Sequence, residues 1–447
     1  MLEPITRRRG DSSVCPESSP KTGASVATLL RPESGAARDA YAKRRTGPPW
    51  RVTYLASHPL QHQAPLLAKL AGLPWIDLEV AFRSELGVHE DPAAEIDRSL
   101  PRTDPLLQGY AHRSLPGSER TITRRALSRW GRWRGGLSEL LHKDRTDVLW
   151  MHGYSHPIHL AALRLAKRRG LPVFARGESS LIGKPAGGLR AGLRRKALTR
   201  LLARFDGLLS IGSANTRFYQ HHGVPAERIH PMPYAVDNAR FAALAAKGKA
   251  KRSELARELG LDPRAPVILF AGKLIERKGV TELLEAFLTC CASSARSIQP
   301  ALVLVGAGAL EGPLRARVRE SSSAPVHFAG FRPQTELPRF YDLADLVVVP
   351  SRFESWGLVV NEAMACSAPV LASTAVGAAP DLIAEGRTGW TFKAGSTPEL
   401  SRRLRELVFE PKRQSALKQV GAAARERVES WDFEADANGL FHALESL

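Results

Sequence analysis

Cysteine and methionine are scarce, four of each in 447 residues, and aromatic residues make up only 7%. Cys15, Cys290, Cys291 and Cys366 are scattered, with no metal-ligand spacing. That excludes a zinc-finger framework and a disulfide-stapled small domain, and it fits a reducing, cytoplasmic compartment. No run approaches the ~20 apolar residues that a membrane-spanning helix requires. Met1–Pro49 also lacks the apolar stretch of a secretory signal. Acid is short: 45 Asp and Glu stand against 64 Lys and Arg, a formal charge of +19. An excess of that size calls for an anionic partner, whether nucleic acid, an anionic membrane surface or a small anionic substrate. No helix-turn-helix, RNA-recognition or zinc-finger pattern occurs, so nucleic acid is not expected as a partner.

What is present is enough apolar sequence, 43%, to build real cores. A chain of this length should form two domains. Residues 1–49 are rich in Arg, Ser, Pro and Gly without a hydrophobic period and read as a disordered basic tail. Folded sequence starts at Trp50 with the strand RVTYLAS, followed by an apolar helix over Leu66–Leu73. Further strands are expected at Asp147–Met151, Leu171–Ala175 and Asp206–Gly212, the last taken to close the first half. The domain should span 50–241, with polar, Ala/Lys-rich Ala242–Arg252 as linker. The second domain, 253–425, has expected strands at Val267–Gly272, Ala301–Val305, Val326–Phe331, Val347–Val349 and Val370–Ala372. Strands alternating with helices require parallel sheets in an α/β fold, with ligands at the strands' carboxyl ends.

The most informative stretch is Val347–Val370, VVVPSRFESWGLVVNEAMACSAPV. Pro350 ends a buried strand, Ser351–Trp356 is a loop, and Gly357 turns the backbone into a helix that Pro369 stops. The free N–H groups of its first turn, at Gly357, Leu358 and Val359, face the carboxyl end of the sheet, where they and the helix dipole suit an anionic pyrophosphate. A carboxylate would be repelled by that diphosphate. Glu354, just before the helix, and Glu362, one to two turns inside it, therefore make sense if each faces neutral hydroxyls. Ribose on one side and a transferable sugar on the other describe a nucleotide sugar.

Phe353–Gly357 and Asn361–Pro369 resemble the E-x7-E segment of retaining GT-B glycosyltransferases, family 4 or group 1. Other segments support the resemblance over about Trp50–Leu447, most tightly in the second half. Lys273 and Lys278 match two cations that hold the diphosphate in that family. Gly306-Ala307-Gly308 matches a donor-side glycine turn, and the base would lie at the strand end by Phe331. Ala378 and Asp381 depart from the family's G-G-x-x-E loop and are expected to tune sugar choice; Ser367 stands where a glycine usually ends the helix. In the first half, the turn Ser57–Pro65 brings His58 and His62 to the crevice mouth, where acceptors bind in this fold. His152 follows the second strand, Asp147–Met151, and is a further acceptor-side candidate. Arg176-Gly177-Glu178 replaces a histidine common at its strand end, leaving Glu178 as an acceptor-side candidate. His152-x3-His156-x2-His159 has ligand-like spacing but no carboxylate or Cys company, so no metal is expected there.

The resemblance implies two Rossmann-like, doubly wound domains facing across a cleft, donor in the second and acceptor in the first. Residues 426–447, with an amphipathic helix from Trp431, would cross back onto the first domain. The implied reaction is retaining transfer of a hexose-like sugar from a nucleoside diphosphate to a carbohydrate, polysaccharide or glycoconjugate precursor, or a lipid-linked acceptor. Catalytic roles fall to Glu354, Lys273 and Lys278, and donor binding to Glu362. Asp-x-Asp occurs nowhere, so neither metal nor cofactor is expected. Two other readings are a sugar-nucleotide epimerase of the same fold and a non-catalytic membrane-associated scaffold. Arg120–Arg134 and Arg190–Arg204 each hold six basic residues mixed with Trp or Leu. They are the expected contacts to an anionic inner membrane face, making the protein cytoplasmic and peripheral.

Overall fold

The computed structural model describes residues 47–83, 106–115, 130–182, 189–249, 252–294, 298–321, 324–410 and 414–447. Residues 1–46 of the expected tail and 120–129 of the first basic run, Arg120–Arg134, lie outside them.

The first sheet holds β1 (Trp50–Ala56), β2 (Ile76–Phe82), β3 (Ala111–Ser114), β4 (Val148–His152), β5 (Val173–Arg176), β6 (Gly207–Ser210) and β7 (Ile229–Pro231). The second holds β8 (Val267–Ala271), β9 (Ala301–Val305), β10 (Val326–Gly330), β11 (Leu346–Val349), β12 (Val370–Ser373) and β13 (Trp390–Phe392). Their spatial orders are β3-β2-β1-β4-β5-β6-β7 and β10-β9-β8-β11-β12-β13. Every paired strand among the described residues runs parallel. The inner strands are apolar on both faces, as β8, β9 and β11 show, because helices cover both sides. In each sheet the order reverses beside its first strand, β1 against β4 and β8 against β11. A doubly wound sheet opens a crevice at that point.

Three strands of the first sheet were not expected, and Asp206–Gly212 does not close it. β7 follows, short and half-buried, with Pro231 at the edge where a lost ladder donor matters least. The proposed linker is also corrected: Asn238–Lys249 is a helix. Its alanines favour helix, and Phe241 and Ala245, four residues apart, pack into the second domain's core. The chain therefore changes domain before this helix, through Met232–Asp237.

At the other end, helix Gln414–Glu429 stays with the second domain, with Ala424 and Val428 in its core. The return begins after Trp431. Helix Phe433–Glu445 seats Ala437, Leu440, Phe441 and Leu444 in the first domain's core. Its Asp436 meets Arg176 from the end of β5 at 2.6 Å, both side chains 1% exposed. Burial pushes the Asp436 carboxyl up, to about 7, against the pull of Arg176. The same guanidinium donates to the carbonyls of Met232 and Pro233, so it ties the outgoing crossing, the returning helix and the first sheet together.

Candidate active site

The crevice of the second domain is built by the loop between β11 and helix Leu358–Ala365. Its Glu354 is held by backbone as well as side chain. Glu354 N–H donates to Ala375 O at 3.0 Å, and Gly377 N–H donates to Glu354 O at 3.1 Å. Gly357 then takes φ +99°, and a Cβ there would press on Val376 and Glu354. Only glycine makes this turn without strain, and the turn starts the helix whose Val359 and Glu362 line the crevice. The helix ends on Ser367 at φ +59°, the left-handed place where glycine is usual; Ala368 N–H reaches back to Ala363 O at 2.9 Å, closing a Schellman turn despite the substitution.

The two glutamates differ in environment. Glu362 is 7% exposed and accepts from Tyr341 Oη at 2.6 Å and Gln334 Nε2 at 3.3 Å. Burial raises its carboxyl above the ordinary range, while Tyr341, Gln334 and Lys278 pull it back. Glu354 instead meets Lys278 Nζ at 2.5 Å, with Arg277 3.7 Å from its other oxygen and Ser351 Oγ at 3.3 Å. Lys278 and Glu354 side chains are 19% and 14% exposed. The cation and the carboxylate thus preorganise one another beside the helix N-terminus. Lys273, exposed on the loop after β8, lines the same crevice as Glu362, Val359, Gly306 and Phe331. Gln61 of the first domain closes one side, so the crevice lies between the domains.

The glycine turn is built for close packing. A Cβ on Gly306 would lie 1.9 Å from Gly272 O, and one on Gly308 would lie 2.5 Å from Leu274 O. The Gly306 amide is spent on Gly330 O at 2.8 Å, so Gly306 offers the crevice surface rather than a donor. Gly308 packs behind it. Phe331 follows β10 with 41% of its surface exposed, an aromatic face open to a base.

On the first domain, His62, His152 and Glu178 gather around Tyr234, on the crossing segment. Tyr234 Oη donates to Glu178 Oε1 at 2.5 Å and lies 3.4 Å from His152 Nε2. His62 stacks edge-on against the Tyr234 ring at 5.4 Å. Burial, then the Arg176 charge, lowers His62 to about 4 and His152 well below its usual value, so both are neutral at pH 7. His58 stands next to this group, bonded to Ser57 Oγ at 2.9 Å. His156 caps helix Pro157–Arg168 and His159 is buried in its core face. Among the described residues, no group of three or more His, Cys, Asp or Glu is placed to hold a metal.

Asp381 is a correction. It does not face the donor crevice; its Oδ2 accepts Ser213 N–H at 2.9 Å and so caps a helix of the first domain. Ala378 is fully buried. Neither is placed to tune sugar choice. Sequence reasoning also missed Tyr341, Gln334, Tyr234, Arg176 and Asn361. Asn361, next to Glu362, donates to Tyr234 O at 3.2 Å and accepts from Trp356 Nε1 at 2.8 Å, joining the two halves of the site. Tyr341 and Gln334 stand 21 and 28 residues before Glu362, a separation with no periodic signature, and the Asn361–Tyr234 contact forms only where the domains meet.

Comparisons with known proteins bear on the family and the fold. The family model described as Glycosyl transferases group 1 matches residues 251–427. A Glycosyl transferase 4-like domain matches residues 80–235. The chain is 28% identical over 318 residues to a GDP-mannose-dependent monoacylated alpha-(1-6)-phosphatidylinositol monomannoside mannosyltransferase of Corynebacterium glutamicum, covering 69% of this chain and 79% of that protein. It is 33% identical over 230 residues to a D-inositol 3-phosphate glycosyltransferase of Rhodococcus jostii, covering 50% of this chain but only 48% of that protein. In fold it is similar to Anabaena Alr3699/HepE in complex with UDP (TM-score 0.66, 18% identity, 89% of this chain and 100% of that one). It is similarly close to the sucrose-phosphate synthase of Thermosynechococcus elongatus (TM-score 0.65, 20% identity, 88% and 98%). With two parallel doubly wound domains, and both halves of the chain matched, the protein belongs to the GT-B glycosyltransferases of the family 4, or group 1, type.

Proposed function

We propose that the chain moves a hexose-like sugar from a nucleoside diphosphate to an acceptor hydroxyl, with retained configuration and without a metal. The observation that carries this is the division of the two carboxylates around one helix N-terminus. Glu362, buried beside Phe331, suits the ribose of a nucleoside whose base stacks on that ring. Glu354, on the other side and paired with Lys278, suits the hydroxyls of the donor sugar. The diphosphate between them would meet Lys273, Lys278 and the amides of Gly357–Val359. Fixed cations and N–H dipoles stabilise the charge that grows on a leaving diphosphate, which is what a metal would otherwise supply. Glu354 is held by its loop and by Lys278, so its role is to orient the sugar and not to attack it.

The acceptor would lie against His62, His152 and Glu178. Neutral imidazoles and a carboxylate are suited to hydroxyl groups and can orient one toward the sugar carbon. The names of the C. glutamicum and R. jostii relatives carry a phosphatidylinositol mannoside and an inositol phosphate, which supports a polyol acceptor, lipid-linked or free. Screening nucleotide sugars for stabilisation of the protein tests the donor half of the proposal.

A lipid-linked acceptor fits a protein held on an anionic membrane face. No described helix is long and apolar enough to cross a membrane, so attachment would be peripheral. In helix Leu189–Leu202, Arg194, Arg195, Lys196 and Arg200 are exposed, with Leu193 at 61%. Leu198, Leu201 and Leu202 turn inward to the core. The outward face is therefore mostly charge, and binding should be electrostatic and salt-sensitive. Flotation with anionic vesicles should recover the protein at low salt and lose most of it at high salt, while neutral vesicles recover little. Replacing Arg124, Arg125, Arg129, Arg194, Arg195 and Lys196 by Gln should abolish recovery. If instead removal of residues 1–49 releases the protein and the six-fold change does not, the tail is the anchor and this membrane face is wrong.

A further inference from the structure

We infer that Tyr341 is a positioning residue for Glu362: its hydroxyl fixes one carboxylate oxygen toward the crevice, and Gln334 holds the place of a ribose hydroxyl until the nucleotide arrives. The inference rests on the donor reading above. Tyr341 is 1% exposed on helix Leu337–Leu343, and its hydroxyl donates to Glu362 Oε2 at 2.6 Å. Walled in by core residues, it cannot leave. Gln334 donates to Oε1 at 3.3 Å, long for such a bond, from the crevice wall. A ribose hydroxyl is an equivalent donor, so it can take the place of the Gln334 amide and leave the Tyr341 bond intact.

The arrangement also decides the charge state of Glu362. Among the described residues no cation bonds this carboxylate directly. Lys278 acts on it from a distance, across the helix N-terminus. Lys273 and Arg332 line the crevice, Arg332 being tied to Glu336 at 3.4 Å. The remaining titratable neighbours are the Cys366 thiol on the same helix, itself pushed up by burial, and Asp342 beside Tyr341. Burial favours the protonated carboxyl, and the Tyr341 hydroxyl works against it. A protonated Glu362 loses acceptor capacity for ribose, so nucleotide affinity should be full above the carboxyl's folded value and fall as pH drops through it. Without the Tyr341 hydroxyl that value rises further, and the fall begins at higher pH.

The test titrates a bare nucleoside diphosphate, whichever of UDP, GDP and ADP binds the wild type, from acid to mildly alkaline pH. It uses wild type, Tyr341→Phe, Gln334→Ala and Glu362→Gln. For Tyr341→Phe the affinity curve should move up by about one pH unit, which is about tenfold weaker binding on the acid side and near wild type on the alkaline side. Glu362→Gln should bind weakly and keep only the pH dependence of the diphosphate's own terminal phosphate, which titrates at pH ~6. A uniform loss at every pH, or an unmoved curve, would make Tyr341 a packing residue and overturn the inference. Should Tyr341→Phe fail to fold, Gln334→Ala decides: wild-type or tighter alkaline affinity supports a displaced placeholder, and a loss there overturns it. Failure of every diphosphate to bind wild type would instead sink the donor reading.

Discussion

Lys278→Ala is expected to weaken binding of the bare nucleoside diphosphate about ten- to a hundredfold, the worth of a charge-assisted bond of roughly 1.5–3 kcal/mol. The loss should be as large for the diphosphate alone as for the intact donor, because the contact removed is to phosphate. The structure adds a contrast. Lys278 is already paired with Glu354 at 2.5 Å, so an arriving diphosphate competes with a carboxylate for the same ammonium. Glu354→Gln removes that competitor. It should leave diphosphate affinity at wild type or slightly tighter while lowering turnover. Calorimetric titration of both variants separates the roles. Wild-type diphosphate affinity in Lys278→Ala would place the lysine outside the phosphate grip, and a large affinity loss in Glu354→Gln would mean that Glu354 faces the nucleotide instead of the sugar.

The second large effect concerns stability. Asp436→Leu should destabilise the fold by about 3–5 kcal/mol, the usual consequence of leaving a buried charge without its partner. Arg176 would keep only the carbonyls of Met232 and Pro233 in a site 1% exposed to water. Arg176→Met with Asp436→Leu together should recover much of the loss, since two apolar side chains need no compensation there. Denaturant unfolding of the two variants checks both parts. A loss below about 1 kcal/mol for Asp436→Leu would show that water reaches the pair. Because this pair sits where the chain leaves and re-enters the first domain, the single variant should also lower turnover more than it lowers diphosphate affinity.

The second domain was the more legible one. Its strands are short apolar runs bounded by Gly or Pro, and four of the five expected ones differ from β8–β12 by a residue at one end. Of the residues marked by their positions after strands and around one glycine, Lys273 and Glu362 line the crevice, while Glu354 and Lys278 pair with each other. The first domain was harder. β3 and β7 are edge strands, whose partly exposed faces leave a weaker pattern than a buried strand, β3 being exposed or half-buried throughout; the interior β2 is broken up by the charged Asp77 and Glu79. Ala242–Arg252 reads as a linker by its polar, Ala/Lys-rich composition, because the i, i+4 pair that seats helix Asn238–Lys249, Phe241 and Ala245, straddles its start. Asp381 was assigned to the sugar by motif position alone, although what it bonds is fixed by the other domain. The same holds for Tyr234, Arg176 and Asn361. Contacts that exist only when two domains meet have no periodicity within either.

The most direct test of the account is the melting temperature of the wild-type protein against UDP-, GDP-, ADP-, CDP- and dTDP-sugars, each with excess EDTA. One base should raise it by a few degrees at roughly a hundred times its dissociation constant. The bare diphosphate of that base should act nearly as well, and EDTA should not abolish the shift. No response to any nucleotide, or a response that vanishes with EDTA, would contradict a metal-independent donor site built on Glu362, Lys278 and the Gly357–Val359 amides.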